Sequence, residues 1–390
     1  MAHTEEPVPI LLLCQVTFRG WSGSETVSLE LIEWFVARGW RVDLVTTVYA
    51  EPLAQATEHL VASGALRVFG LDPGVEIDAN AYTLIWVNQS LLPSSVLRQL
   101  RSGPVKTPMI WHHMSSFQNL GMPLLYDVEN AMASIITCMA PVARDSLQEY
   151  GFEGHEIVIF DNPAPDQFVS AELPVLRSSL RSLIVVSNHP PAELREAATL
   201  LASRDIEVTF AGLGDRYGRI TPAILGAHDA VITIGKTTQY ALAMGVPVYS
   251  YDHFGGGGWI TEANLDKEWY GNFAGRIEGR AISAQQVADE IESGFGDARA
   301  FARTAREVNA RRWSLTRQLE ALLDDPRLQP RDRLLGAHEA RLAALQGAMR
   351  DELWAALRGA EAGFTAQSNA VEELREIVAL QHERLTSADD

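Results

Sequence analysis

Ile232-Thr233-Ile234-Gly235-Lys236-Thr237-Thr238-Gln239-Tyr240-Ala241-Leu242-Ala243-Met244-Gly245-Val246-Pro247-Val248 reads as a strand, a turn, a short helix and a second strand. The apolar run from Ala230 stops at Gly235, and Lys236 with two threonines opens the helix. Gly245 ends that helix, and Val246-Pro247-Val248 begins the next strand. Two wholly apolar strands joined by a helix predict a parallel sheet covered on both faces. At the turn, the free amides of Thr237 and Thr238, their hydroxyls and the Lys236 ammonium converge on one anion-sized spot. The Gly-Lys-Thr sequence resembles the end of a P-loop, but the residue five before Gly235 is Ala230 rather than the glycine that loop requires.

The same alternation extends in both directions. Upstream, Leu183–Ser187 and Ile206–Ala211 read as strands and Pro191–Ser203 as a helix. An earlier set of strands lies at Ile10–Val16, Arg41–Thr47, Thr83–Asn88, Met109–His112 and Ser134–Met139, with amphipathic helices such as Glu25–Arg38 and Val142–Tyr150 between them. The proline-bearing stretch Asp161–Pro174 separates the two sets as a linker. The expected fold class is therefore α/β, with a Rossmann-like domain over residues 1–165, a second over 175–325, and a ligand cleft between the carboxyl ends of their sheets. Helices Ser283–Phe295 and Arg299–Trp313 are expected to close the second unit, and the segment through Leu323 to cross back to the first.

Beyond Pro326 and Pro330 the pattern changes. Apolar residues recur at Leu342, Leu345, Met349, Leu353, Ala356, Ala360 and Phe364, then at Val371, Leu374, Val378 and Leu385. This stripe predicts an α-helical extension over 331–390, either a coiled coil that joins a second copy or a partner helix, or an amphipathic helix folded back on its own domains. In either case it is expected to be dispensable for chemistry.

Composition narrows the function. With 390 residues, 47% of them apolar, the chain suffices for two cores. A formal net charge of −18 argues against nucleic acid as a partner. No stretch reaches the roughly 18 apolar residues of a membrane span, and the polar, acidic start does not read as a signal peptide. The two cysteines, Cys14 and Cys138, sit in apolar runs and read as buried free thiols, which suits a cytoplasmic protein.

Three further segments carry candidate chemistry. Arg19-Gly20-Trp21-Ser22-Gly23-Ser24 follows the first strand and opens the first helix. Gly20 and Gly23 let backbone approach a ligand, Ser22 or Ser24 caps the helix, and Arg19 offers a cation. His112 and His113 end a strand, and their side chains face opposite ways. One of them is expected at the cleft rim as a proton acceptor or sugar-hydroxyl partner, or the two form a packed structural pair; the spacing is poor for a metal. In Asp252-His253-Phe254-Gly255-Gly256-Gly257-Gly258-Trp259, four glycines read as an open loop that admits a ligand closely. Asp252 and His253 would bond sugar hydroxyls there, and Trp259 would stack on a sugar or base.

Taken together, these segments resemble the GT-B glycosyltransferases, especially the large retaining group that builds bacterial envelope glycans. Gly23-Ser24-Glu25 through Ala37-Arg38-Gly39-Trp40-Arg41-Val42 resembles that group's opening glycine loop, helix and strand. The segment from Ala140-Pro141-Val142-Ala143 to Phe160-Asp161-Asn162-Pro163 resembles its passage into the linker, and Ala241-Leu242-Ala243-Met244-Gly245-Val246-Pro247-Val248 its EAMAxGxPVV motif. The group's paired glutamates are replaced by Ile232 and Tyr240, and Ser187-Asn188-His189-Pro190 stands where its Arg and Lys would be.

The resemblance implies a nucleoside diphosphate sugar as donor and a glycan or lipid-linked glycan as acceptor. It also implies transfer without metal or other cofactor, at the inner face of a bacterial membrane. On this reading the diphosphate lies at Gly235–Thr238, with Lys236 as its cation and Gln239 substituting for the ribose-binding glutamate. The base lies near Gly212-Leu213-Gly214, and the sugar near Gly255, Gly256 and the histidines. Two alternatives stay open: a nucleotide-sugar epimerase of the same fold, and a glycosyltransferase-like subunit without catalysis that assembles through its helical tail.

Overall fold

The computed structural model describes residues 7–71, 75–115, 123–152, 154–172 and 177–356, together with 359, 360 and 363. The strands in chain order are β1 (Ile10–Cys14), β2 (Thr17–Phe18), β3 (Arg41–Val45), β4 (Val48–Tyr49), β5 (Leu66–Phe69), β6 (Leu84–Asn88), β7 (Met109–His113), β8 (Ile135–Cys138) and β9 (Ile157–Ile159). They continue with β10 (Ser182–Val186), β11 (Glu207–Ala211), β12 (Ala230–Thr233), β13 (Val248–Asp252) and β14 (Gly255–Trp259). The first sheet is parallel, ordered β5-β3-β1-β6-β7-β8-β9; the second is ordered β11-β10-β12-β13-β14, with only β14 antiparallel. The strand order reverses between β1 and β6 in the first sheet and between β10 and β12 in the second. The loops leaving β1, β10 and β12 therefore flank a crevice.

Both faces of the first sheet are covered. Leu12, Cys14, Ile85, Val87 and Trp111 belong to one core, and Leu11, Leu13, Leu84, Trp86 and Ile110 to the other. This is why its strands read as unbroken apolar runs rather than alternating ones. Cys14 and Cys138 are buried and free, and burial raises both thiol pKa values, that of Cys138 to about 12. Among the described residues no helix is long and apolar enough to cross a membrane.

Two elements differ from expectation. In place of two helices, a single one spans Ala284–Arg312, capped by Ser283 with Gln286 reciprocating. Gly294 does not break it, because a Cβ there would lie 2.4 Å from the Trp259 ring, so the glycine serves close packing. The second difference is Gly255–Gly258, which forms strand β14 instead of an open loop. A Cβ on Gly256 would sit 1.9 Å from the Ser250 carbonyl oxygen, and one on Gly257 2.1 Å from Glu268 Oε1. The glycines admit neighbouring protein, not a ligand.

The chain crosses between the units twice, side by side. Ala164 in the linker donates to Trp313 O at 2.6 Å and accepts from Leu315 N at 2.9 Å. Helix Leu315–Leu323 then places Leu315, Leu319 and Leu322 in the core of the first unit, as the sequence suggests. Past it, Arg333 pairs with Val105, and the backbone is helical over 337–356. This helix folds back on the first unit, through a face other than the apolar stripe. Ala343 and Trp354 enter the core, Gly347 lies against Leu97, and buried Arg350 bonds Leu92 O and, at 3.1 Å, Ser94 Oγ. Small side chains permit the close approach, while Leu345, Met349 and Leu353 face outward, 59%, 63% and 40% exposed. The stripe positions Phe364, Val371, Leu374, Val378 and Leu385 lie outside the described residues.

Candidate functional site

A cavity of about 320 Å³ lies between the two units, at the carboxyl ends of β10, β11, β12 and β13. The first unit contributes Trp21, Ser22, Gly23 and Thr26, from the loop and helix after β1. Ser22, rather than Ser24, caps helix Gly23–Ala37. Glu25 closes the loop by accepting from Arg19 N at 2.9 Å and from Ser22 Oγ at 2.7 Å. Tyr217 reaches across from the second unit and accepts from Trp21 N at 2.9 Å; a Cβ on Gly20 would lie 2.9 Å from that same hydroxyl.

From the second unit come Ser187, Asn188 and His189 after β10, Gly212 after β11, Gly235–Thr237 after β12, and Asp252 with His253 at the end of β13. Gly212 has φ 143°, and a Cβ there would lie 1.9 Å from Ser187 O, so only glycine brings these loops together. Gly235, at φ 60°, turns the chain into helix Lys236–Met244 with no side-chain cap. The Gly235 N–H donates to Phe273 O at 2.8 Å, so the amides the turn leaves on the cavity lining are those of Lys236 and Thr237. Asp252 Oδ1 accepts from Ser187 Oγ at 3.0 Å and from His253 N at 2.8 Å, and Ser187 Oγ accepts from His189 N at 3.0 Å.

The Lys236 side chain is committed elsewhere. Its Nζ lies 2.7 Å from Glu30 Oε2 on the first unit's opening helix and 3.0 Å from Pro163 O, with both side chains almost wholly buried. The Tyr240 hydroxyl bonds the other Glu30 oxygen. Burial lowers the lysine's pKa, opposed by the charge of Glu30, and the same burial raises the glutamate's, opposed by Lys236. Arg219 is held bidentately by Glu33 at 2.6 and 2.7 Å. The sequence gives no sign that Glu30 and Glu33 would face the other unit.

Other expected site residues lie away from the cavity. Thr238 and Gln239 are fully buried and outside the cavity lining, with no hydrogen bond to Thr238 Oγ1 or to the Gln239 side-chain amide among the described residues, so Gln239 does not reach a ribose in the cavity. Gly214 stands outside the lining, as do Gly255 and Gly256 in β14. Trp259 packs against Tyr249 and donates to Glu290 O at 3.0 Å instead of offering a stacking face.

His112 and His113 do face opposite ways, but both faces of β7 are covered. His112 bonds Thr137 Oγ1 at 2.9 Å beside Trp86 and Phe160, and His113 bonds Glu129 Oε1 at 2.5 Å. Both are fully buried, and neither stands at the cleft rim. Burial first, then the charges of His113 and Lys236, lowers the His112 pKa to about 3. His189, two positions past Ser187 at the point where the sheet order reverses, also lines the cavity; the sequence places its segment where the resembled group's Arg and Lys stand but assigns the histidine itself no role. Among the described residues no three His, Cys, Asp or Glu side chains gather as a metal site.

No family model matches this sequence, and no curated protein does. Among solved structures, the chain is similar to LpCGTa in complex with UDP, at 14% identity over 82% of this chain and 99% of that one, with a TM-score of 0.51. It is also similar to Arabidopsis thaliana UGT89C1 complexed with UDP-L-rhamnose, at 12% identity over 82% and 99%, with a TM-score of 0.49. The first likeness, with the two sheets and their topology, defines the fold as GT-B.

Proposed function

We propose that the chain is a glycosyltransferase that takes a nucleoside diphosphate sugar in the cavity between its two units. The observation that carries this reading is the cavity's position, where both sheets reverse their strand order, with the uncapped helix start at Gly235–Thr237 on its wall. Fixed amide dipoles there favour a diphosphate and stabilise it as a leaving group without a metal. The base lies toward Gly212 and the sugar toward Asp252. The acceptor, on family resemblance a glycan or lipid-linked glycan, approaches from the Trp21–Gly23 side. In transfer, the bond from the anomeric carbon to the diphosphate oxygen breaks with its electron pair leaving on the diphosphate, the acceptor oxygen bonds the anomeric carbon, and the acceptor's proton passes to the departing phosphate oxygen.

A thermal-shift and calorimetric screen of nucleoside diphosphates and their sugars tests the donor half. Absence of binding across the panel overturns it. Product analysis then separates transfer, which needs an acceptor, from epimerisation, which proceeds with donor alone. A second reading, a binding subunit without catalysis, is favoured by the Lys236–Glu30–Tyr240 cluster, which ties the expected cation to the opposite unit. Donor binding without turnover on any acceptor supports it. The outward Leu345, Met349 and Leu353 support assembly through the tail, which light scattering checks.

A further inference from the structure

The lysine and the arginine on the cavity's lining are already paired, Lys236 with Glu30 and Arg219 with Glu33. The basic side chains that remain on its lining are two imidazoles, His189 after β10 and His253 after β13. Their rings lie edge to face, with centroids 5.9 Å apart. Their backbones are fixed by one shared device. Ser187 Oγ accepts the His189 N–H, Asp252 Oδ1 accepts the His253 N–H, and the hydroxyl donates to the carboxylate. Two residues that follow different strands are thereby held side by side on the cavity lining, with the His253 ring also packed against Phe254 at a centroid distance of 3.7 Å. No hydrogen bond to the His189 ring occurs among the described residues, and His253 Nδ1 has only a 3.4 Å contact with Asp252.

We propose that His189 and His253 are the diphosphate-binding side chains of this cavity, each ring donating an N–H to a phosphate oxygen of a bound nucleoside diphosphate. This rests on the reading that the cavity takes such a nucleotide, and it names the groups that hold the charged part. Imidazole suits the task because it donates a hydrogen bond whether neutral or charged, and when charged the bond to phosphate is strengthened. The amides of Lys236 and Thr237 border the same cavity, and the histidines supply side-chain donors on a lining whose own lysine and arginine are ion-paired.

The test is calorimetry on the full chain with UDP, GDP and ADP, each alongside its own nucleoside. The diphosphate's contribution is the ratio of the two affinities. His189→Ala and His253→Ala each lower that ratio by about tenfold, the effect of one charge-assisted bond. Nucleoside affinity stays within about twofold, and His253→Lys restores much of the ratio. A double alanine variant that still prefers the diphosphate as strongly as the native chain overturns the assignment while leaving the cavity reading in place. Equal loss of nucleotide and nucleoside affinity also overturns it, because the residues are then structural. If the native chain binds none of the nucleotides, the cavity reading and the histidine assignment fall together.

Discussion

Replacing Lys236 by methionine separates two roles that one lysine cannot hold at once. If Nζ is the partner of Glu30, as the 2.7 Å separation indicates, the loss falls on stability. At an effective dielectric of about 20, two unit charges at that distance attract by about 6 kcal/mol, against a desolvation cost of several kcal/mol for each ion. The net value of the pair is thus small. Removing one partner nevertheless leaves a buried charge uncompensated, which costs about 3–5 kcal/mol. Lys236→Met keeps an unbranched side chain of similar length and leaves Glu30 with the Tyr240 hydroxyl and the more distant charge of Arg219. We expect urea unfolding to show a loss of that size, and Glu30→Gln with Lys236→Met to recover most of it, since glutamine still accepts from Tyr240. Nucleotide affinity of the folded variant should change less than threefold, an effect of about 0.6 kcal/mol. A variant with native stability and nucleotide affinity weakened tenfold or more would refute the ion pair and return Lys236 to the phosphate.

Four other outcomes follow from the structure. The pKa of His112 is depressed to about 3 from 6.5, so its stabilising contribution is whole above pH 6.5 and is lost as pH falls toward 3. Asp161 is shifted the other way, from 3.8 to about 6, chiefly by burial; its contribution is whole below pH 3.8 and is lost as pH rises through 6, on the order of 3 kcal/mol. Urea midpoints measured across pH should show His112→Asn flattening the acid limb and Asp161→Asn removing the decline between pH 4 and 6. Gly256→Ala should destabilise by roughly 1–3 kcal/mol or more in thermal unfolding, because its Cβ meets the Ser250 carbonyl. Trp354→Ala should cost about 3–5 kcal/mol in the same assay, since the indole is buried in the first unit's core; an unchanged melting temperature would mean that the helix over 337–356 does not dock.

The fold was legible because strands buried on both faces cannot alternate, and runs such as Ile10–Val16 and Thr83–Asn88 fall on β1 and β6. The turn at Gly235 was legible for the same reason, since a buried strand that stops at glycine before a helix leaves few geometries. The partners of the polar groups were not legible. Lys236 meets Glu30 only once two units have closed on each other, and no local pattern encodes that contact. Gly255–Gly258 looks like a loop because glycine carries no strand preference; the strand is imposed by the nearness of Ser250, Glu268 and Arg280. The tail stripe was read by period alone, which finds apolar faces but cannot weigh Ala343 and Gly347, whose smallness brings the neighbouring face into contact.

The return of the chain to its first unit bears on the order of events at the ribosome. Leu315, Leu319, Leu322, Leu335, Ala343 and Trp354 all belong to cores that also hold β1 and β6. The first unit therefore emerges with gaps in its interior that only a segment made after the second unit fills. The second unit, whose sheet and long helix lie between residues 182 and 312, can close before its elder neighbour is finished. A nascent chain that has cleared the exit tunnel to just past residue 313, with the segment beyond still inside it, should carry a completed second unit and an incomplete first one, the reverse of the N-terminal-first order usual in synthesis.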